Sequence, residues 1–189
     1  DLTKNGELEA EKAGYLIKDR NVKIDFYYSS LQLRANNTLK IIQKILKDNK
    51  NYKAAWQLNE RHYGVLTGLN KLEMSKKMGA EKVHQFRRSW DIKPDPLNKE
   101  SPYHPLNIST YKEISKKVIP DTESLKDTYE RVIKYFEEEI KKNLINNNIL
   151  ISAHGNSIRA MCKYLFGLDN NEISNLEIPT GNPLIIELN

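Results

Sequence analysis

The chain has 189 residues, which suits one domain with a real core, and no linker, repeat or low-complexity stretch divides it. Hydrophobic residues make up 39% and charged residues 29%, a globular balance, and no apolar run reaches the length of a membrane span. The net charge of +5 suits an anionic partner, but its lysines gather in runs such as Asp48-Asn49-Lys50-Asn51 without interleaved aromatics, which reads as a solvated face and not a nucleic-acid stripe. The single cysteine, Cys162, excludes an internal disulfide, suits a reducing cytosol, and sits at an apolar helix position as a structural thiol. No signal peptide is visible, and a start on Asp1 rather than Met leads us to expect residues before it.

Residues 7–19 are predicted as a helix with Leu8, Glu11 and Tyr15 or Leu16 along it, followed by a strand from Val22 to Tyr28. Ser29-Ser30 then opens a helix with Leu39, Ile42 and Leu46 on one face, and a short strand follows at Ala54–Leu58. Residues 59–70 read as a loop, 71–78 and 80–88 as two short helices, and 93–120 as an irregular, proline-rich insert. Asp121 or Thr122 caps a long helix whose apolar face is Leu125, Tyr129, Val132, Ile133, Phe136 and Ile140. Ile149-Leu150-Ile151 is a buried-type strand, and a helix starts near Asn156, carries Ile158, Met161, Cys162 and Leu165, and stops at Gly167. Pro183–Leu188 is read as a last strand. Alternating strands and helices give an α/β fold, a mostly parallel sheet with helices on both faces.

The strongest chemical signal is Ile151-Ser152-Ala153-His154-Gly155-Asn156, a strand, a turn and a helix start. Helix N-termini attract anions, Gly155 allows close backbone approach, and His154 can donate to a phosphate oxygen beyond the strand end. A capping Asn beside a structural histidine explains the same residues, and the motif alone leaves both open. Glu60-Arg61-His62-Tyr63, with Lys71 after it, can be a proton-transfer group near an anion or a surface ion pair. Arg87-Arg88 offers planar forks for phosphate or carboxylate, or two solvated arginines at a helix end; Arg34 follows a strand near the same sheet edge. Together these residues suit a substrate with more than one anionic group and a step that moves protons. The four histidines are scattered and the lone cysteine cannot build a soft site, so no metal is expected.

Leu58-Asn59-Glu60-Arg61-His62-Tyr63-Gly64, Gly68-Leu69-Asn70-Lys71, Arg87-Arg88, Ala153-His154-Gly155-Asn156-Ser157 and Ile178-Pro179-Thr180-Gly181 occur in that order. Over essentially the whole chain they closely resemble the bisphosphoglycerate-dependent phosphoglycerate mutase family of the histidine phosphatase superfamily. The resemblance implies interconversion of 3-phosphoglycerate and 2-phosphoglycerate in glycolysis and gluconeogenesis. It implies a phosphohistidine primed by 2,3-bisphosphoglycerate, no metal, a cytoplasmic setting, and a homodimer or homotetramer. By the same resemblance Glu60 is the proton donor and acceptor, and His154 is the second active-site histidine, which stabilises the transferring phosphoryl group. Arg34, Arg61, His62, Tyr63, Lys71, Arg87, Arg88, Gly155 and Asn156 match positions that hold the substrate's phosphate and carboxylate. We therefore expect His154 to follow a central strand, Glu60 to face the same cleft, and Arg34, Arg61, Arg87, Arg88 and Lys71 to converge on one basic pocket.

The family's nucleophile lies in an Arg-His-Gly-Glu stretch after the first strand. No Arg-His-Gly occurs in these residues, and Asp1–Gly6 matches the part of the family that comes after that stretch. The family's C-terminal tail has no counterpart after Asn189, Thr67 stands at a usual Gln, Asn36-Asn37 replaces more apolar or His-containing pairs, and the insert near 98–108 is short. The domain is thus expected to be incomplete at both ends. These 189 residues alone are expected to lack mutase turnover, and the longer protein to be active. The alternatives are a bisphosphoglycerate mutase or phosphatase and, from another class, a phosphate-binding pseudoenzyme.

Overall fold

The structure is a computed structural model that describes residues 1–188, with the backbone alone for Lys71, Glu73 and Lys77. Helix α1 spans Lys4–Asp19 and starts earlier than its apolar period suggests, because the Thr3 hydroxyl accepts the Gly6 N–H as a cap. Strand β1 is Phe26–Ser30, α2 is Leu33–Leu46, and β2 is Tyr52–Ala55, after which Trp56–Leu58 coils into a 3-10 turn. Later come α3 (Lys71–Met78), α4 (Ala80–Arg88), α5 (Leu125–Tyr135), β3 (Ile149–Ser152), α6 (Gly155–Phe166) and α7 (Asn170–Asn175).

The described strands form one parallel sheet in the order β2-β1-β3. Neighbouring side chains on a strand point to opposite faces, and the two tyrosines of β1 divide the core accordingly. Tyr27 packs with Ala13, Ile17, Leu39 and Ile42 of α1 and α2. Tyr28 packs with Leu58, Val132, Phe136, Ile140, Ala160 and Met161 of the α5–α6 side. Helices thus cover both faces of the sheet. The third cluster, Leu66, Met74, Val83 and Phe86, joins the loop after β2 to α3 and α4.

Four expectations need correction. Ser29 and Ser30 do not open a helix; they end β1, opposite Ala54 and Ala55 of β2, and α2 begins after Gln32. The cap of α5 is Ser124, in a capping box with Asp127. Asp121 and Thr122 are engaged elsewhere, on the His104 ring (3.0 Å) and the Pro94 carbonyl (2.7 Å). Strand β3 is an edge of the described sheet, so His154 follows an edge strand instead of a central one. Pro183–Leu188 forms no strand: no described strand pairs with it, and Leu184, Ile185 and Leu188 are about half exposed. Alternating apolar residues supply a strand's faces but not its hydrogen-bonding neighbour. Helix α7 was not expected, since Ile173 is its one buried side chain; its Asp169–Glu172 capping box sets it instead.

Candidate active site

Four segments meet beyond the C-terminal ends of the strands. The end of β1 brings Ser30, the first turn of α2 brings Arg34, the loop after β2 brings Glu60 to Tyr63, and the β3–α6 turn brings His154 to Asn156. The end of α4 adds Arg87 and Arg88.

The state of the His154 ring follows from its partners. Arg34 Nε donates to His154 Nδ1 (3.1 Å), and arginine has no acceptor, so Nδ1 holds a lone pair. His154 Nε2 lies 2.8 Å from Ser30 Oγ, so in the neutral ring Nε2 carries the proton and donates it there. Burial, and then the charges of Arg34 and Arg131, push the His154 pKa down to about 3. The imidazole is therefore neutral at physiological pH, with its tautomer fixed. Its side chain makes no capping bond to α6, and a Cβ at Gly155 would meet nothing within 4 Å. The helix start thus has open space beside it, of the kind anions favour.

Glu60 is tied to the same turn. Its Oε1 accepts Asn156 Nδ2 (2.8 Å) and the Arg61 N–H (2.8 Å), and its own N–H reaches Gln32 Oε1 (3.4 Å). The other Asn156 amide hydrogen goes to Tyr63 Oη (2.9 Å). The Tyr63 ring carries two guanidinium groups, Arg61 at 4.5 Å and Arg87 at 5.4 Å from its centroid. Gly64 lets the loop turn at φ 53°, where a Cβ would lie 2.1 Å from the Asp95 carbonyl oxygen.

Arg61 is 2% exposed and donates from Nη2 to the Phe86 carbonyl (2.6 Å). Its Nε and Nη1 are buried without a partner, as is Nη1 of Arg88. Buried polar groups are almost always hydrogen-bonded, so open donors on two guanidinium groups suit an anionic ligand. Arg88 also pairs with Glu177, which lies 3.8 Å from Arg159 Nη2. Arg159 Nη1 in turn donates to Asn156 Oδ1 (3.3 Å).

Glu60, His154, Asn156, Gly155, Tyr63, Arg34, Arg61, Arg87 and Arg88 are therefore linked through one network or border it. His62 is not: its ring packs edge-on against Tyr111 (6.0 Å between centroids), and its Nε2 is buried without a partner. Burial pushes its pKa down to about 4. The side chain of Lys71 lies outside the described residues. Ser30, Gln32 and Arg159 were missed by sequence reasoning. Arg159 carried one signal, its i+3 spacing from Asn156 on α6, which puts the two on one helix face. Among the described residues no group of three or more His, Cys, Asp or Glu side chains could hold a metal ion.

Comparison with known proteins agrees with this architecture. The family model of the histidine phosphatase superfamily (branch 1) matches residues 1–107 and 99–189. A 2,3-bisphosphoglycerate-dependent phosphoglycerate mutase from Pelagibacter ubique is 66% identical over 189 residues, covering 100% of this chain and 79% of the relative. One from Borreliella afzelii is 46% identical, covering 99% of this chain and 76% of that protein. Among solved structures, a mycobacterial glucosyl-3-phosphoglycerate phosphatase superposes with a TM-score of 0.66 at 17% identity, over 94% of this chain and 74% of its own. The α-ribazole phosphatase of Shigella flexneri gives 0.65 at 18% identity, over 96% and 75%. Those two show the shared fold, and the mutases narrow the family. The chain belongs to the histidine phosphatase superfamily, and within it to the 2,3-bisphosphoglycerate-dependent phosphoglycerate mutase family.

Proposed function

We propose that the full-length protein interconverts 3-phosphoglycerate and 2-phosphoglycerate through a phosphohistidine that none of the four histidines of these residues supplies, as a cytoplasmic enzyme of glycolysis and gluconeogenesis. The observation that carries the reading is Arg61, a buried guanidinium with two open donors beside Glu60 and stacked on Tyr63. A small acid with a phosphate and a carboxylate would satisfy it together with Arg88. The 66% identity to a mutase supports the same substrate class. No helix is long and apolar enough to cross a membrane among the described residues.

The residues divide the work by their chemistry. Arg61, Arg87, Arg88 and Asn156 hold the anionic groups and orient the acid. Glu60 takes the proton from one substrate hydroxyl and returns it to the other. His154 does not attack phosphorus, since Nδ1 is occupied by Arg34 and Nε2 is protonated. Its Nε2–H instead stabilises charge on a phosphoryl oxygen, exchanging Ser30 for that oxygen. When bound, 2,3-bisphosphoglycerate supplies the priming phosphoryl group, and the open donors of Arg61 and Arg88 fit its charge.

The test is a coupled measurement of 2-phosphoglycerate formation by the full protein. Turnover that depends on added 2,3-bisphosphoglycerate, with little free phosphate released, is the expected outcome. Phosphate release without isomerisation would make it a phosphatase. Binding without either reaction would make it a pseudoenzyme.

A further inference from the structure

The loop that carries Glu60 turns several carbonyls inward, away from any strand or helix that could satisfy them. One side chain does so. Arg131, on α5, donates from Nη1 to the Gln57 carbonyl (2.5 Å) and from Nη2 to the carbonyls of Asn59 (3.1 Å) and Glu60 (3.4 Å). Nη2 is shared with Glu123 Oε2 as well (2.9 Å), and Nε donates to Glu123 Oε1 (2.6 Å). Glu123 holds the far side of the same loop. Its Oε2 accepts the His62 N–H (2.9 Å), and its N–H donates to the His62 carbonyl (2.8 Å). The two side chains are only 9% and 3% exposed. None of these bonds reaches the side chain of Glu60, Arg61 or Tyr63.

A buried ion pair is a poor source of stability, because desolvation cancels much of its attraction. Geometry is what it supplies here. The planar guanidinium reaches three carbonyls and a carboxylate from one point, which a lysine ammonium cannot do. Burial pushes the Glu123 carboxyl up, but the Arg131 guanidinium beside it outweighs that and holds it below its ordinary value. The pair therefore stays charged. Arg61 has a separate anchor at Phe86, whereas the Glu60 backbone rests on Arg131 directly.

We propose that Arg131 and Glu123 are positioning residues for Glu60, acting on turnover through the loop they clamp and not on the substrate. The inference rests on the phosphoglycerate reading above, and its test separates the two. The full protein is compared with Arg131→Lys and Glu123→Gln, the second being the milder change should the first fail to fold.

In the mutase assay we expect kcat to fall about 10–100-fold in Arg131→Lys, the scale of a small misplacement of a reacting group. KM should stay within about threefold, because Arg61 keeps its own anchor. Amide hydrogen exchange, which needs no turnover, should rise at Glu60 to Tyr63 and not in β1 or β3. A folded variant with near wild-type kcat would overturn the proposal, as would a loss confined to KM or exchange that rises evenly through the domain. If the wild type shows no mutase turnover, the functional reading fails, while the exchange comparison still decides whether the pair clamps the loop.

Discussion

The His154 turn and the Glu60–Tyr63 loop meet through Asn156, yet they are finished to different degrees. Both ring nitrogens of His154 have protein partners, Arg34 and Ser30. Arg61, across the cleft, keeps two buried donors without any, and Arg88 keeps one. The turn is preset before a ligand arrives. The loop is held open for an anion, its backbone satisfied by Arg131 and its guanidinium not.

The sharpest way to break this contrast is to remove the open donors. Arg61→Ala should weaken 3-phosphoglycerate binding by about 1.5–3 kcal/mol, roughly 10- to 150-fold in Kd. Calorimetry showing unchanged affinity would mean that the open donors serve no ligand. Arg61→Met, which keeps volume, should lose binding without a fall in thermal midpoint, because it removes unsatisfied groups along with the one bond to Phe86.

The neutral, buried histidines give a second test through pH. His154 and His62 have folded pKa values of about 3 and about 4, below the ordinary 6.5. The unfolded chain binds protons that the fold refuses, so stability is full above pH 6.5 and is lost as pH falls toward those lower values. At pH 5.5 the loss should be on the order of 1 kcal/mol per histidine relative to pH 7. Urea unfolding at the two pH values measures it, and His62→Gln should flatten part of the drop. A stability that does not change over that range would contradict the buried neutral state.

Ser30→Ala asks how firmly the turn is set. Losing the Nε2 acceptor should cost about 1 kcal/mol of ring orientation and lower kcat about fivefold, with KM unchanged. The nitrogen chemical shifts of His154 would report whether Nε2 still carries the proton. The smallest expected effect is at Glu177, an exposed carboxylate that bridges Arg88 and Arg159 at the edge of the open side. Glu177→Gln should tighten phosphoglycerate binding about two- to fivefold, and added salt should erase the difference. Weaker binding in that variant would mean that Glu177 orients the arginines instead of competing for them.

Much of the site was legible because its motifs are local. The strand, turn and helix around His154 declare themselves within a few residues, through an apolar run, a His-Gly turn and Gly167 at the helix end, where φ is 64°. The body of α2 and the apolar face of α5 follow from spacings of three and four residues in the same way. The ordered motifs also identified the family, and nine of the residues they single out lie in or beside one network in the structure. The His62 ring turns toward Tyr111 and away from that network, a direction that adjacency in sequence does not encode.

Most of the elements, the family and the residue types of the cleft can be read from the chain alone, since periodicity and motifs act over short stretches. The rest needed the folded molecule. Ser30 lies 124 residues from the histidine it holds, and Arg131 lies 72 residues from Asn59, whose carbonyl it satisfies. Pro183–Leu188 has the pattern of a strand and no described partner to make it one. Hydrogen-bond partners are set by which segments the fold brings together, and no local pattern encodes that choice. The tautomer of His154, the open donors of Arg61 and the clamp on Glu60 all depend on it.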